Sequence, residues 1–126
     1  MSLGTGRDGR ESCRTGVTVR SFEDLEVWKR GCRLAVEVYQ ALGESKDFAL
    51  ADQMRRSAVS VSSNIAEGYE RPTKDYARFL TYSLGSLAEL RTQAYIAEKV
   101  DTISPEARRH IVTECQTISR MIQSHG

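Results

Sequence analysis

A chain of 126 residues with 40% hydrophobic and 28% charged side chains has the composition of an ordinary soluble globular protein, with length for one modest core. Its net charge of +1 excludes the overall basic field that draws in nucleic acid or an anionic membrane. No segment approaches the roughly twenty apolar residues of a bilayer span, and the start "MSLGTGRDGR" lacks the apolar run of a signal peptide, so a cytoplasmic protein is expected.

Residues 1–20 read as a flexible tail. The tail holds four arginines against Asp8 and Glu11, for +2, which leaves −1 for the remainder. Gly4, Gly6 and Gly9 satisfy the pattern GxGxxG, but no strand precedes them, and a dinucleotide fingerprint needs a strand leading in and a helix leading out. Cys13, Cys32 and Cys115 are far apart with no CxxC, which points to free thiols in a reducing compartment.

Residues 21–126 carry the signals of four helices. "SFED" offers Ser21 as an N-cap with Asp24 three residues on, and Gly43 supplies a stop, giving a first helix over about 22–42. Asp47 can cap a second over about 48–70, which Pro72 ends by forcing Arg71 out of the helical region. Thr73 can cap a third over about 74–99. "SPEARR" places Ser104 at an N-cap, Pro105 at the first helical position and Glu106 in the first turn of a fourth, over about 105–124. Helices of this length joined by a few residues must fold back on one another, so an all-α, up-down-up-down antiparallel four-helix bundle is expected.

At helical spacing the core reads as Leu25, Trp28, Cys32, Val36 and Tyr39, then Leu50, Met54, Ala58, Val61 and Ile65. The third helix adds Tyr76, Leu80, Leu84, Leu87 and Ala94, and the fourth adds Ala107, Ile111, Ile118 and Ile122. On the opposite side of the first helix, Val27, Leu34, Val38 and Ala41 form a second row at spacings of seven, four and three. An edge helix buries one face in its own bundle, so this row is expected to be an exposed patch and the interface of a homo-oligomer.

The segment "SVSSNIAEGYER", Ser60 to Arg71, crowds serines into a helix, where each costs about half a kcal/mol against alanine. Ser57, Ser60, Asn64, Glu67 and Gly68 are therefore read as a helix-packing motif: small side chains permit close approach, and Asn64 can hydrogen-bond to a neighbouring helix. Glu67 is expected to pair with Arg71 one turn on. A catalytic reading lacks partners, because a serine nucleophile needs a base and the two histidines, His110 and His125, lie at the far end of the chain. His110 reads as a solvated side chain. No Glu-x-x-His pair of a di-iron bundle is present, so neither enzymatic activity nor a metal or cofactor is expected. Arg55, Arg56, Arg71, Lys74 and Arg78 could form a small basic patch, but Glu67, Glu70 and Asp75 interleave with them. Such a patch supports only weak, sequence-independent binding, with a Kd of about 10⁻⁴ to 10⁻⁶ M.

"FEDLEVWKRG", "MRRSAVSVSSNIAEGYER" and "YARFLTYSLGSLAELRTQ", with the spacing between them, resemble the 23S rRNA intervening-sequence proteins, a four-helix-bundle family that includes accessory proteins of diversity-generating retroelements. The resemblance covers Ser21 to the C-terminus and is most specific over Ser60 to Gly68. It implies a bacterial, cytoplasmic, non-enzymatic protein that forms ring-like homopentamers and, among the retroelement accessories, associates with a reverse transcriptase and nucleic acid. The family often carries proline where Ser62 stands, so a kink there is expected to be absent or milder. Nucleic-acid-binding relatives are strongly basic, which this chain is not. The function expected is an oligomeric scaffold or adaptor, with direct weak RNA or DNA binding as the alternative.

Overall fold

Two helix starts in this chain follow short polar side chains that take over an orphan backbone N–H. Asp47 Oδ1 accepts from Leu50 N at 3.1 Å, and Ser104 Oγ accepts from Ala107 N at 3.0 Å. The computed structural model describes residues 21–71 and 73–125, with side chains throughout except those of Thr73, Lys74 and His125. The expected tail, its glycines, Cys13 and Pro72 lie outside the described residues.

Four helices follow: α1 (Glu26–Leu42), α2 (Phe48–Tyr69), α3 (Thr73–Lys99) and α4 (Pro105–His125). The start of α1 corrects the sequence reading. Ser21 makes no capping bond to the backbone; its hydroxyl donates to Glu23 Oε1 at 2.8 Å, and residues Phe22–Asp24 form a 3₁₀ turn with Leu25 as the N-cap. The turn folds Phe22 back onto Trp28, edge to face at 5.3 Å between ring centroids, so aromatic contact fixes the chain here instead of a capping box. Gly43 ends α1 at φ 51°, with its N–H on the Tyr39 carbonyl at 3.0 Å. Asp101 takes the left-handed conformation, φ 64°, in the turn before α4.

Helix α2 packs between α1 and α3, and α4 closes the ring against α3 and α1, while the diagonal pairs do not approach one another. The result is an antiparallel four-helix bundle with no strand among the described residues. At about 1.5 Å per residue α2 is about 33 Å long, and it runs without interruption through Ser62. Met54, Ala58, Val61, Ile65, Leu80, Leu87, Ala94, Ile111, Ile118 and Ile122 are buried, as their spacing predicts.

Helix α1 is turned the other way round. Val27, Leu34 and Val38 are buried in the chain's own core with Gly31 and Leu42, and Ala41 packs against that core. Their expected place on an outward interface row is therefore wrong. Val36 and Tyr39, expected inside, are 56% and 49% exposed, and Trp28 and Cys32 are half-buried. The reason is Gly31. A Cβ there would crowd Ser62 Oγ, so α1 and α2 come close at a glycine, and the buried face is centred on that point.

Candidate functional site

The serine-rich segment is the seam of the bundle. Ser62 Oγ donates to the Trp28 carbonyl of α1 at 3.1 Å, across from Gly31. From α3, the buried Ser83 hydroxyl donates to the Val61 carbonyl at 2.8 Å. Ser60 is hydrogen-bonded to Ser86 of α3 and to the Ser57 carbonyl of its own helix. Gly68 lies against α3, where an added Cβ would sit 2.7 Å from Phe79 Cβ. Short hydroxyls thus bind three helices together without the bulk that would separate them.

Two details differ from the sequence reading. Asn64 Nδ2 donates to the Ser60 carbonyl one turn back at 2.9 Å, within α2 and not across to a neighbour. Ser62, which the spacing does not single out, makes the contact to α1. Glycine at mid-helix between Val27 and Leu34 was the available signal, because Gly31 costs about 1 kcal/mol against alanine unless close packing requires it. Glu67 pairs with Arg71 at 3.0 Å. The hydrogen bonds of these hydroxyls run to backbone carbonyls and between Ser60 and Ser86, an arrangement that joins helices.

The arginines expected as one patch divide into two groups. Arg55 and Arg56 lie near the start of α2 and Arg71 beyond its end, about 20 Å away along the helix. Arg71 and Arg78 both stack on Phe79, at 5.1 and 5.3 Å, and pair with Glu67 and Asp75. Arg56 pairs with Asp52 at 3.0 Å. Arg55 lies 5.4 Å over the Tyr39 ring and donates to the Gly43 carbonyl at 3.3 Å. The Lys74 side chain lies outside the described residues.

Two of the surface clefts lie between neighbouring helices. One, of 360 Å³, runs between α1 and α2 and is lined by Tyr39, Asp52, Arg55, Arg56, Val59, Ser60 and Ser63. The other, of 400 Å³, lies between α3 and α4 and is lined by Leu84, Arg91, Gln116, Ser119, Arg120 and Gln123. His110 is hydrogen-bonded through Nε2 to Glu37 of α1 at 2.8 Å, so it ties α4 to α1 and is not merely solvated. Burial pushes the Cys115 thiol up to about 12; the Arg91 charge pulls it down and Glu114 adds to the rise. Such a thiol is no nucleophile at neutral pH. Among the described residues no cluster of three or more His, Cys, Asp or Glu could hold a metal, and no helix is long and apolar enough to cross a membrane.

No curated protein matches this chain significantly. Its fold is similar to the crystal structure of a protein of unknown function from the S23 ribosomal protein family of Bacteroides thetaiotaomicron VPI-5482. The TM-score is 0.72 at 23% identity, over 78% of this chain and 95% of that one. The family model for the 23S rRNA-intervening sequence protein matches residues 23–124, which takes in the serine seam and nearly the whole of all four helices. The chain belongs to the 23S rRNA-intervening sequence protein family.

Proposed function

We propose that the protein is a non-enzymatic, self-assembling scaffold or adaptor. The observation that supports this reading is the outer face of α1 and α2, where Tyr39 and Val59, 49% and 44% exposed, line the α1/α2 cleft and Val36, 56% exposed, precedes Tyr39 by about one turn of α1. Apolar side chains grouped on one face of a small domain suit a protein interface. Ile96 and Val100, one turn apart at the end of α3, form a second exposed apolar pair. A closed heterologous ring needs two different surfaces, and these two groups are the candidates for them. The order of five subunits, and service to a nucleic-acid-processing enzyme such as a reverse transcriptase, rest on the family resemblance alone.

Light scattering tests the assembly. The wild type is expected to be larger than a monomer at micromolar concentration, and a Val36→Glu, Val59→Glu double variant, both positions being exposed, is expected to shift towards monomer with its helical content intact. A monomeric wild type, or a variant that assembles equally well, overturns the reading.

A second reading, direct weak RNA or DNA binding, is favoured by one feature: Arg55 stacked on the exposed Tyr39 in a serine-lined cleft combines a charge with an aromatic platform. Binding there is expected to be sequence-independent and steeply salt-dependent, and Tyr39→Ala is expected to weaken it. Unchanged affinity in Tyr39→Ala removes the platform.

A further inference from the structure

The α3/α4 cleft shares no residue with the α1/α2 cleft, and its chemistry differs. Helix α4 presents Gln116, Ser119, Arg120 and Gln123 to it, at i, i+3, i+4 and i+7, the spacing of one helix face. Helix α3 contributes Arg91 and, two turns earlier, Leu84, the single apolar wall residue. A groove between two packed helices is ordinarily sealed by apolar flanks, whereas this one is lined by hydrogen-bond donors.

The two arginines of this set have few partners among the described residues. Arg91 Nε is buried without a hydrogen-bond partner, and Arg91 forms no ion pair among the described residues. Among the described residues Arg120 has a single, long hydrogen bond, to Thr117 Oγ1 at 3.4 Å. Among the described residues no carboxylate lines the cleft, and Glu114, two residues before Gln116, is held by Arg30 of α1 at 2.9 Å. Arg91 and Arg120 thus line one open surface groove with no carboxylate among its described lining residues. Arg120 also precedes the last turn of α4, where the helix dipole would favour a cation most.

We propose that this cleft is an oxyanion site for a phosphate group, with Arg91 and Arg120 supplying the charge and Gln116, Ser119 and Gln123 the neutral donors. Phosphate fits the count: two negative charges answer two guanidinium groups, and its tetrahedral oxygens accept from donors on both helices. A volume of 400 Å³ admits it with water. A free phosphate or phosphomonoester offers both charges on one group, and a nucleic-acid backbone offers the same oxygens with one charge per phosphodiester. The site does not depend on self-assembly.

The test follows the arginine Nε–H signals of the ¹⁵N-labelled full chain during titration with inorganic phosphate, ionic strength being held constant with chloride. Saturable shifts of the Arg91 and Arg120 signals are expected. Arg120→Gln, at an exposed position, is expected to keep the circular dichroism and Tm of the wild type and to weaken phosphate binding by about tenfold. Arg91→Gln, at a half-buried one, serves as a second variant with the same expected loss. A response no different from that to chloride, or an Arg120→Gln titration equal to the wild type, overturns the proposal. Parallel titrations separate the sources. An oligonucleotide without terminal phosphates that moves the same two signals identifies a phosphodiester backbone; movement by inorganic phosphate and a 5′-mononucleotide alone identifies a free phosphate group.

Discussion

On one long side of α1, Val27, Leu34, Val38 and Leu42 are buried around Gly31, while on the other Val36 and Tyr39 stand 56% and 49% exposed beside half-buried Trp28 and Cys32. The outer side holds both aromatic residues of the helix and is hardly less apolar than the inner one. What separates them is how closely α2 can come. Gly31 lets Ser62 reach the Trp28 carbonyl, and burial follows the smallest residue instead of the largest.

The largest contrast between the faces is expected in their thiols. Cys32 is half-buried on the outer side, whereas Cys115 is buried in the core with its thiol pushed up to about 12. In a Cys13→Ser background, an aromatic disulfide reagent at neutral pH is expected to modify Cys32 promptly and Cys115 only through unfolding, about 10³-fold or more slowly. If the outer face is the assembly surface, the Cys32 rate also falls as protein concentration rises. Equal rates would show that the core opens readily. The sign of the pH effect follows: a folded thiol raised above its ordinary 9.0 stabilises the fold fully below pH about 9, and that contribution is lost as pH climbs towards about 12. Urea unfolding across that window is expected to show a shallower decline in Cys115→Ala.

Next in size is truncation. Leu34→Ala removes a fully buried side chain and is expected to cost about 2 to 5 kcal/mol, while Val36→Ala on the exposed side changes stability by under about 0.5 kcal/mol. Chemical denaturation at a dilution where the chain is monomeric measures both. Comparable losses would mean that the two faces are not inner and outer.

Much of the bundle is legible from periodicity. In α2 and α4 the apolar spacing has one solution, and Met54, Val61, Ile65, Ile111 and Ile118 are buried where it predicts. In α1 two rows compete, and a count weighted by Trp28 and Tyr39 selects the wrong one. The seam was legible as small residues but not as partners: which hydroxyl reaches which carbonyl depends on the register of two helices, which no single-helix pattern contains. Asn64 bonds within α2 because its amide reaches the Ser60 carbonyl one turn back at 2.9 Å. The α3/α4 cleft was missed because Arg91 and Arg120, twenty-nine residues apart, become neighbours only through antiparallel packing.

Smaller, and aimed at the cause, is Gly31→Ala. Its Cβ would crowd Ser62 Oγ, so α1 and α2 must separate or the hydroxyl must turn away, at an expected cost of about 1 to 3 kcal/mol. In a Ser62→Ala background the oxygen is gone and the remaining Ser62 Cβ lies 3.5 Å away, so the same substitution is expected to cost much less. A double-mutant cycle with additive losses would mean that the close approach does not decide the face.

The smallest effect has the opposite sign and isolates the packing term. Gly85, in the middle of α3, is exposed, and a Cβ added there meets nothing within 4 Å. Gly85→Ala therefore carries only the helix-propensity change, an expected gain of up to about 1 kcal/mol. Gly31→Ala and Gly68→Ala receive the same propensity gain, but each must first clear a contact under 3 Å, with Ser62 Oγ and Phe79 Cβ respectively. Rotation can move an oxygen and cannot move a Cβ, so Gly68→Ala is expected to need a backbone shift and to resist rescue by a change at the end of the Phe79 side chain. Thermal melts of the three variants on one scale should place Gly85→Ala above the wild type and the other two below it. A destabilised Gly85→Ala would mean that α3 needs glycine for a reason other than space, such as a neighbouring copy seated against it.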